Sequence, residues 1–342
     1  MNIPYRTRKV LRRLLTVLLV TALVAVIVWL IWLLWLDRYV VYSDEGARID
    51  MSRSSEYISG ELAVPPEARE PIGIYFNDGE NAINTSTELT QVYGYYVDST
   101  MLQQRDFEEI LTAIRSMPKG TTLMLEVKNI YGEYYYSSKL GPHSEEVDIA
   151  AMDALISELR TSGIYTVAKV SAFRDYTYGL KNDTFGLPHI DGGYLWADED
   201  YCYWLNPDSS GTLNYLINII AELKGLGFNE VVFDNFCFPN TEDILYDGDK
   251  AASLTTAAAT LAANGCSETF AVSFITDLTT FTLPEGRVRA YVDGVSASQA
   301  KSMAEGSGIA DPQIHVVFVT EAKDTRYDEF GVLRPITSAK FE

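Results

Sequence analysis

The chain has 342 residues, of which 47% are hydrophobic and 22% are charged, and its formal net charge is −20. This composition is typical of a folded protein with a core, and it excludes a wholly disordered chain. The acidic balance argues against nucleic acid or an anionic lipid surface as a partner of the folded part, because both require a basic patch.

The first predicted element is a single membrane-spanning helix at residues 14–36. No residue in this stretch is charged, and its length is sufficient to cross a bilayer. A cleaved signal peptide is the alternative, but the apolar run is longer than a usual signal-peptide core and no Ala-x-Ala cleavage site follows it. We therefore expect an uncleaved signal anchor, preceded by a cytoplasmic tip at residues 1–13.

The charges that flank the span predict its orientation. Five basic residues precede it, and acidic residues follow it from Asp37 onward, which places the N-terminus in the cytoplasm. Everything after the span is then expected outside the cell membrane. Residues 37–70 are rich in Ser, Glu and Arg without steady periodicity, so they are interpreted as a stem that carries a domain at residues 71–342.

From about residue 91 onward, apolar runs typical of strands alternate with helical patterns, which predicts β/α units and a parallel sheet. Eight strands are predicted, at residues 91–97, 122–128, 165–173, 230–236, 269–275, 290–296, 313–319 and 332–336. Helices are predicted at residues 106–117, 148–161, 211–224, 250–263 and 298–304. Eight such units predict an α/β fold of the (β/α)8 TIM-barrel class. The alternative, a doubly wound open sheet, normally begins with a glycine-rich phosphate turn, and the sequence has no Gly-x-Gly-x-x-Gly.

Acidic residues fall at or near the carboxyl ends of five predicted strands. They are Asp98, Glu126, Asp175, Asp234 and Asp293. In a barrel these ends meet at one face, where active sites are found, and carboxylates that share a cavity separate into a proton donor and an ionised partner. Paired carboxylates are the groups that glycoside hydrolysis requires. The alternative for each is a capping role, and Asp293 is interpreted as structural.

Asp234 is the strongest of these candidates. It follows the apolar run Val231-Val232-Phe233, so its charge lies next to a dry core, where a carboxylate without a function would be costly. In strand two, alternation predicts that Glu126 and Lys128 lie on the same side. A lysine inside a barrel can hold a neighbouring carboxylate ionised.

Aromatic residues are concentrated in two of the connecting loops. Tyr131 and the run of tyrosines at residues 134–136 follow strand two, and the long loop after strand three carries Trp196, Trp204, five tyrosines and several acids. Flat rings with hydrogen-bonding neighbours suit the faces of sugars, and long loops in compact domains are usually functional. The alternative is that these rings form the loops' own core.

The cysteines and histidines do not indicate a metal site. Cys202, Cys237 and Cys266 have no metal-like spacing, and the three histidines are scattered. We predict no structural metal and no cofactor. Free buried thiols are the default for the cysteines, and a bridge between Cys202 and Cys237 is the alternative.

At these residues the chain resembles a family of putative glycoside hydrolases with a TIM-barrel domain. The resemblance is strongest at residues 120–240, where Glu-x-Lys lies in strand two, Phe-Arg-Asp follows strand three, and Gly-Phe-Asn-Glu-Val-Val-Phe-Asp leads through strand four to Phe-Pro. The chain departs from the family pattern at Asn129, Asn235 and Cys237, where the family has Asp, Tyr and Arg.

The resemblance implies a glycoside hydrolase that acts on a polysaccharide or glycan through paired carboxylates. In this reading Asp234 is the nucleophile or charge stabiliser and Glu126 is the acid/base. Substrate contacts are expected from Lys128, Asp175, Asp98, Trp196, Trp204 and Tyr131. The three departures favour an alternative, a catalytically degenerate barrel that binds carbohydrate or a partner protein at the cell surface. A purely structural envelope component is the third hypothesis, and the oligomeric state stays open.

The charge asymmetry around residues 14–36 generates a test of topology. Protease added to intact spheroplasts should remove the large domain, because it is expected outside the membrane. A domain that resists digestion until the membrane is permeabilised would contradict this orientation.

Overall fold

The computed structural model describes residues 89–103 and 107–338, together with Thr21, Trp29 and residues 40–43 and 46–49. The chain divides into two units, Met1–Asp78 and Gly79–Glu342. Apart from Thr21 and Trp29, which are helical, the predicted membrane span lies outside the described residues, as do the cytoplasmic tip and most of the stem. Within the described part of the chain, no helix has the length and apolar character needed to cross a membrane.

In the first unit, two short strands of the predicted stem pair with each other. Strands β1 (Val40–Ser43) and β2 (Gly46–Ile49) are antiparallel, with Val40 opposite Ile49 and Ser43 opposite Gly46. The sequence analysis expected no regular structure here. Four-residue strands are too short to give a clear alternating pattern, which explains why they were missed.

The second unit is a closed barrel of eight parallel strands. The strands are β3 (Tyr93–Val97), β4 (Thr122–Lys128), β5 (Tyr165–Ser171), β6 (Glu230–Asp234), β7 (Ala271–Ile275), β8 (Ala290–Asp293), β9 (Val316–Val319) and β10 (Gly331–Pro335). Each strand pairs with its neighbour in sequence, and β10 closes the ring by pairing with β3. All eight predicted strands are confirmed, and the (β/α)8 class follows from this topology.

Helices connect the strands on the outside of the barrel. They are α1 (Ser99–Gln103), α2 (Phe107–Arg115), α3 (Ile149–Ser162), α4 (Tyr176–Lys181), α5 (Ser210–Leu226), α6 (Lys250–Gly265), α7 (Ala297–Gly306) and α8 (Pro312–His315). The five predicted helices are confirmed. Helices α1, α4 and α8 were missed because elements of four to six residues do not develop a helical stripe. Because α8 begins at Pro312, strand β9 starts later than predicted.

Alternate residues of each strand divide between two cores. The interior of the barrel is filled by Met124, Val167, Val232, Tyr291, Val317 and Leu333. Their strand neighbours Leu125, Ala168 and Val231 face outward and pack with helix residues such as Leu216 and Ile220 of α5. This alternation explains why strands buried on both faces appear in the sequence as continuous apolar runs.

Strand β4 contains a β-bulge close to its carboxyl end. Glu126 pairs with Lys169 of β5, but Lys128 pairs with Val170, whereas an unbroken register would place Lys128 opposite Ser171. An extra residue in one strand reverses the alternation of side chains relative to its neighbour. The prediction that Glu126 and Lys128 lie on the same side is therefore wrong.

A buried ion pair closes the amino end of the barrel. Arg289 contacts Glu230, and both side chains are almost completely buried. Arg289 also donates to the Thr90 carbonyl at 2.7 Å, and Glu230 accepts from Tyr165 at 2.9 Å and from Ser273 at 2.5 Å. These bonds satisfy the buried charges and fill the amino end of the barrel interior.

Candidate functional site

Three charged side chains meet at the carboxyl ends of β4, β5 and β6. The Lys169 ammonium lies 3.4 Å from Glu126 Oε2 and 3.1 Å from Asp234 Oδ2. The two carboxylate oxygens therefore cannot be more than about 6.5 Å apart, because that is the combined length of their contacts with the shared nitrogen. The structure thus brings together the two acids that the sequence analysis selected as catalytic.

The three side chains are partly shielded from solvent. Glu126 is 12% exposed, Lys169 is 24% exposed and Asp234 is 28% exposed. Burial by itself lowers the pKa of the Lys169 ammonium, but the carboxylates of Asp234 and Glu126 outweigh it and raise that pKa above its ordinary value. Lys169 is therefore a permanent cation at neutral pH.

Local backbone geometry fixes the position of Asp234. The next residue, Asn235, has a φ of 51°, in the left-handed region that Asn tolerates better than most residues. Its N–H donates to Asp234 Oδ1 at 2.7 Å, and its side-chain amide donates to Ser171 Oγ at 3.2 Å. Ser171 in turn donates to the Arg174 carbonyl at 2.7 Å. The left-handed turn ends β6 two residues earlier than predicted.

A cavity of about 340 Å³ opens at the same end of the barrel. Its lining includes Tyr96, Asp98, Lys169, Asp293 and Glu321. Among the lining residues, Lys169 is the one that also contacts Glu126 and Asp234, so the cavity and the charged cluster adjoin. Asp98 both borders this cavity and caps α1, since its Oδ1 accepts from the Met101 N–H at 3.0 Å.

Four of the residues that line the cavity were not predicted from the sequence to be functional. Asp293 was interpreted as structural, but it is exposed and lines the cavity. Glu321 follows β9 closely, so the strand-end rule that selected the other acids would also have found it. Lys169 was detectable as an inward-facing lysine of β5. Tyr96 carried no signal beyond its place in β3.

Lys128 and Asp175 lie away from this cavity, in a buried ion pair. The Lys128 ammonium is 2.8 Å from Asp175 Oδ2, and both side chains are 0% exposed. Lys128 also donates to the Ser171 carbonyl at 2.8 Å, and Tyr215 of α5 donates to Asp175 Oδ2 at 3.0 Å. The β-bulge turns Lys128 toward the helix layer. Lys128 and Asp175, both predicted to contact sugar, are thus inaccessible in this structure. They anchor the start of the loop after β5 instead.

Gly132 and Asp175 hold two loops together. Asp175 caps α4 by accepting from the Tyr178 N–H at 2.7 Å. Gly132, in the loop after β4, has a φ of 76°, and a β-carbon at this position would collide with the Asp175 carboxylate. Only glycine allows this close approach.

The predicted aromatic clusters divide between core and surface. Tyr134, Tyr135 and Tyr136 are buried, which confirms the alternative that these rings form the loop's core. Tyr131 is 43% exposed. Trp204 is buried and donates from its indole N–H to Asp198 Oδ2 at 2.9 Å.

One predicted aromatic contact and the three cysteines remain to be described. Trp196 is half-buried against the main core. Cys202, Cys237 and Cys266 are all free. Burial and then the nearby Asp234 charge raise the pKa of the Cys237 thiol to about 11, so it stays neutral. Within the described ranges, no group of three or more His, Cys, Asp or Glu residues could hold a metal ion.

Comparisons with known proteins give one family and several structures with low sequence identity. A family model described as "Putative glycosyl hydrolase domain" matches residues 94–270, just over half of the chain. No curated protein matches. The solved structures include a hypothetical protein from Ruminiclostridium thermocellum ATCC 27405, at 18% identity over 52% of this chain and 96% of that chain, with a TM-score of 0.44.

Two further structures come from proteins whose names state an activity. The glycoside hydrolase domain of PelA from Pseudomonas aeruginosa is 12% identical over 74% of this chain and 97% of that chain, with a TM-score of 0.42. GH20 exo β-N-acetylglucosaminidase from Vibrio harveyi is 8% identical over 68% of this chain and 42% of that chain, with a TM-score of 0.45.

The buried ion pair generates a prediction about stability. Asp175→Asn should lower the free energy of unfolding by about 3–5 kcal/mol, because it leaves the Lys128 ammonium buried without a counter-charge. The double variant with Lys128→Met should recover much of that loss. Urea unfolding of each variant measures both effects.

The exposed pair Arg115–Glu158, with N and O atoms 2.9 Å apart, provides the matched control. Glu158→Gln should leave the urea midpoint almost unchanged, because water already solvates both charges. Equal small effects from Asp175→Asn and Glu158→Gln would contradict the anchoring role of the buried pair.

Proposed function

The chain belongs to the family of putative glycosyl hydrolase domains, and from this premise we propose that its barrel hydrolyses glycosidic bonds with Asp234 and Glu126 as the reacting carboxylates. The observation that carries the proposal is the Lys169 ammonium, which contacts both Glu126 and Asp234 at the carboxyl end of the barrel. No cofactor is needed for this chemistry.

Asp234 is proposed as the nucleophile. It has the larger exposed fraction of the two acids, and its Oδ2 lies closer to the Lys169 ammonium than Glu126 Oε2 does. The hydrogen bond from the Asn235 N–H to Oδ1 fixes the rotation of the carboxylate, which leaves Oδ2 beside Lys169. Such preorganisation reduces the entropy that is lost on reaching the transition state.

Glu126 is proposed as the group that protonates the leaving oxygen and later activates water. Retaining glycosidases have carboxyl groups about 5–5.5 Å apart, whereas inverting enzymes need about 6.5–9.5 Å to admit a water molecule. Glu126 Oε2 and Asp234 Oδ2 are at most about 6.5 Å apart, which fits the retaining range and reaches only the lower limit of the inverting one, so we propose retention of configuration.

The proposed substrate is a carbohydrate, with one sugar unit in the cavity beside Lys169. Asp98 is retained as a substrate contact because it lines that cavity, and Asp293 and Glu321 are added for the same reason. Their carboxylates can accept hydrogen bonds from sugar hydroxyls. A barrel that binds carbohydrate without hydrolysis is the second candidate, favoured by the neutral Cys237 in place of the family's arginine.

We also propose that residues 14–36 anchor the protein in the cell membrane, with the folded domain outside. The support for this proposal is the uncharged run itself and the basic residues that precede it. The protease experiment above is its test.

Asp234→Asn tests the proposed chemistry. The variant keeps the shape of the side chain but removes its charge, so turnover should fall by about a thousandfold or more while the melting temperature stays unchanged. The measurement is product release from a panel of aryl glycosides and bacterial and plant polysaccharides. Proton NMR of the wild-type product should show retained anomeric configuration.

Asp311→Asn is the matched control for this experiment. Asp311 lies just before α8, and its φ of 47° is one that Asn tolerates. It should retain full turnover. Equal activity of Asp234→Asn and wild type would eliminate Asp234 as the nucleophile, and binding without turnover by wild type would favour the second candidate.

Lys169→Met tests the role of the shared ammonium. Without it, the two carboxylates lose the counter-charge that they share, so the pH–rate profile should move to higher pH. Lys301, which contacts Glu305 and Glu329 on the surface and is 60% exposed, is the matched control. A profile that shifts equally in Lys301→Met, or in neither variant, would refute the role given to Lys169.

A further inference from the structure

Three exposed tyrosines and one half-buried tyrosine form a surface on the loops that follow β4 and β5, at the carboxyl end of the barrel. This surface, the tyrosine rim, consists of Tyr131, Tyr176, Tyr201 and Tyr203. Tyr201 is 79% exposed, Tyr131 is 43% exposed and Tyr176 is 38% exposed. The rings of Tyr176 and Tyr203 stack, with centroids 5.7 Å apart and an interplanar angle of 11°. The core does not account for these exposed rings.

Backbone hydrogen bonds join the two loops that carry the rim. The Tyr176 N–H donates to the Ile130 carbonyl, and the Thr177 N–H donates to the Tyr131 carbonyl, each at 3.1 Å. Tyr203 packs over Gly179, where an added β-carbon would lie 2.6 Å from the Tyr203 β-carbon. The loop after β4 and the start of α4 therefore form one fixed surface.

Hydrogen bonds to Asp198 fix the turn that carries Tyr201. Asp198 Oδ1 accepts from the N–H groups of Asp200 and Cys202 at 3.0 Å each. Asp198 Oδ2 accepts from Arg174 at 2.6 Å and from the Trp204 indole at 2.9 Å. Asp198 is thus the centre of a small network that fixes the whole turn.

Tyr201 itself has a strained backbone. Its φ is 60°, a region that bulky residues rarely adopt. Strain of this kind persists only where the surroundings impose it, and it is concentrated at ligand-binding positions. A strained turn that exposes an aromatic ring to solvent lowers the stability of the fold, so a structural role alone does not explain it.

The tyrosine rim and the cavity are distinct parts of the carboxyl end of the barrel. The rim belongs to the loops after β4 and β5. The cavity is lined from β3, β8 and β9 through Tyr96, Asp293 and Val319, and also by Lys169 of β5, but by none of the four rim tyrosines. Lys169 joins the cavity to the charged cluster, because it contacts Glu126 and Asp234.

We propose that the tyrosine rim binds a second sugar unit of a chain whose first unit occupies the cavity. This inference rests on the proposed function and names its substrate class, a polysaccharide. The flat rings of the rim would stack on the apolar faces of the sugar, while the phenol hydroxyls and the carboxylate of Asp200 bind its hydroxyl groups.

The test is affinity electrophoresis of the full-length chain carrying Asp234→Asn, which prevents hydrolysis during the run. The gels contain xylan, galactan, chitosan, alginate or starch. Tyr201→Ala and Tyr176→Ala should each weaken retardation by at least one polysaccharide about three- to tenfold, the effect of losing an aromatic contact. Tyr201→Phe should retain most of the retardation, because it keeps the ring.

Tyr194→Ala is the matched control. Tyr194 lies in the same long loop, is 57% exposed and stacks on His189, outside the rim. Its removal should leave retardation unchanged. Equal retardation of all variants, or no retardation of the Asp234→Asn parent by any polysaccharide, would overturn the proposal.

A second measurement separates this inference from the proposed function. A glycosyl fluoride has a single sugar and a one-atom leaving group that does not reach the rim, so wild type and the tyrosine variants should hydrolyse it at the same rate. If wild type hydrolyses a glycosyl fluoride while the rim variants bind polysaccharide as the parent does, the rim inference fails and the proposed function stands. If glycosyl fluorides and polysaccharides all remain intact, the proposed function fails.

Discussion

The ammonium of Lys169 is the interaction on which the carboxyl face of this barrel depends. At an effective dielectric constant of about 20, two carboxylates at most about 6.5 Å apart repel by at least about 2.5 kcal/mol, whereas each attracts an ammonium at 3.1–3.4 Å by about 5 kcal/mol. The summed attraction therefore exceeds the repulsion, even though the desolvation of the charges offsets part of the attraction. Lys169 belongs to β5, between the strands that carry the two acids, so its one ammonium compensates both charges.

Departures from regular strand geometry place the groups around that ammonium. The β-bulge in β4 follows Glu126, whose register with β5 is regular, and sends Lys128 to the helix layer, so Lys169 is the lysine that contacts the two acids. The left-handed turn at Asn235 ends β6 and ties Asp234 to Ser171. Irregular backbone of this kind is common at functional sites, because it redirects a side chain that a regular strand would point elsewhere.

The two ends of the barrel have different tasks. At the amino end, Arg289 and Glu230 neutralise each other within a network of satisfied hydrogen bonds, and the end is filled. At the carboxyl end, the charges of Asp98, Asp293 and Glu321 border a cavity, and long loops extend outward. The buried Lys128–Asp175 pair has a structural role at this end, since it fixes the loop that leads to the tyrosine rim.

The sequence by itself determined the eight strands, the five long helices, the barrel class and the two acids at the centre of the site, because these depend on local periodicity and on the rule that parallel strand ends meet. Only the tertiary structure decided that Lys169, and not Lys128, neutralises those acids, since the direction of a side chain depends on register with the neighbouring strand. It also decided that Asp175 is inaccessible, because its burial depends on Tyr215, 40 positions away. Which tyrosines are core and which are surface likewise depends on contacts between residues that are distant in sequence.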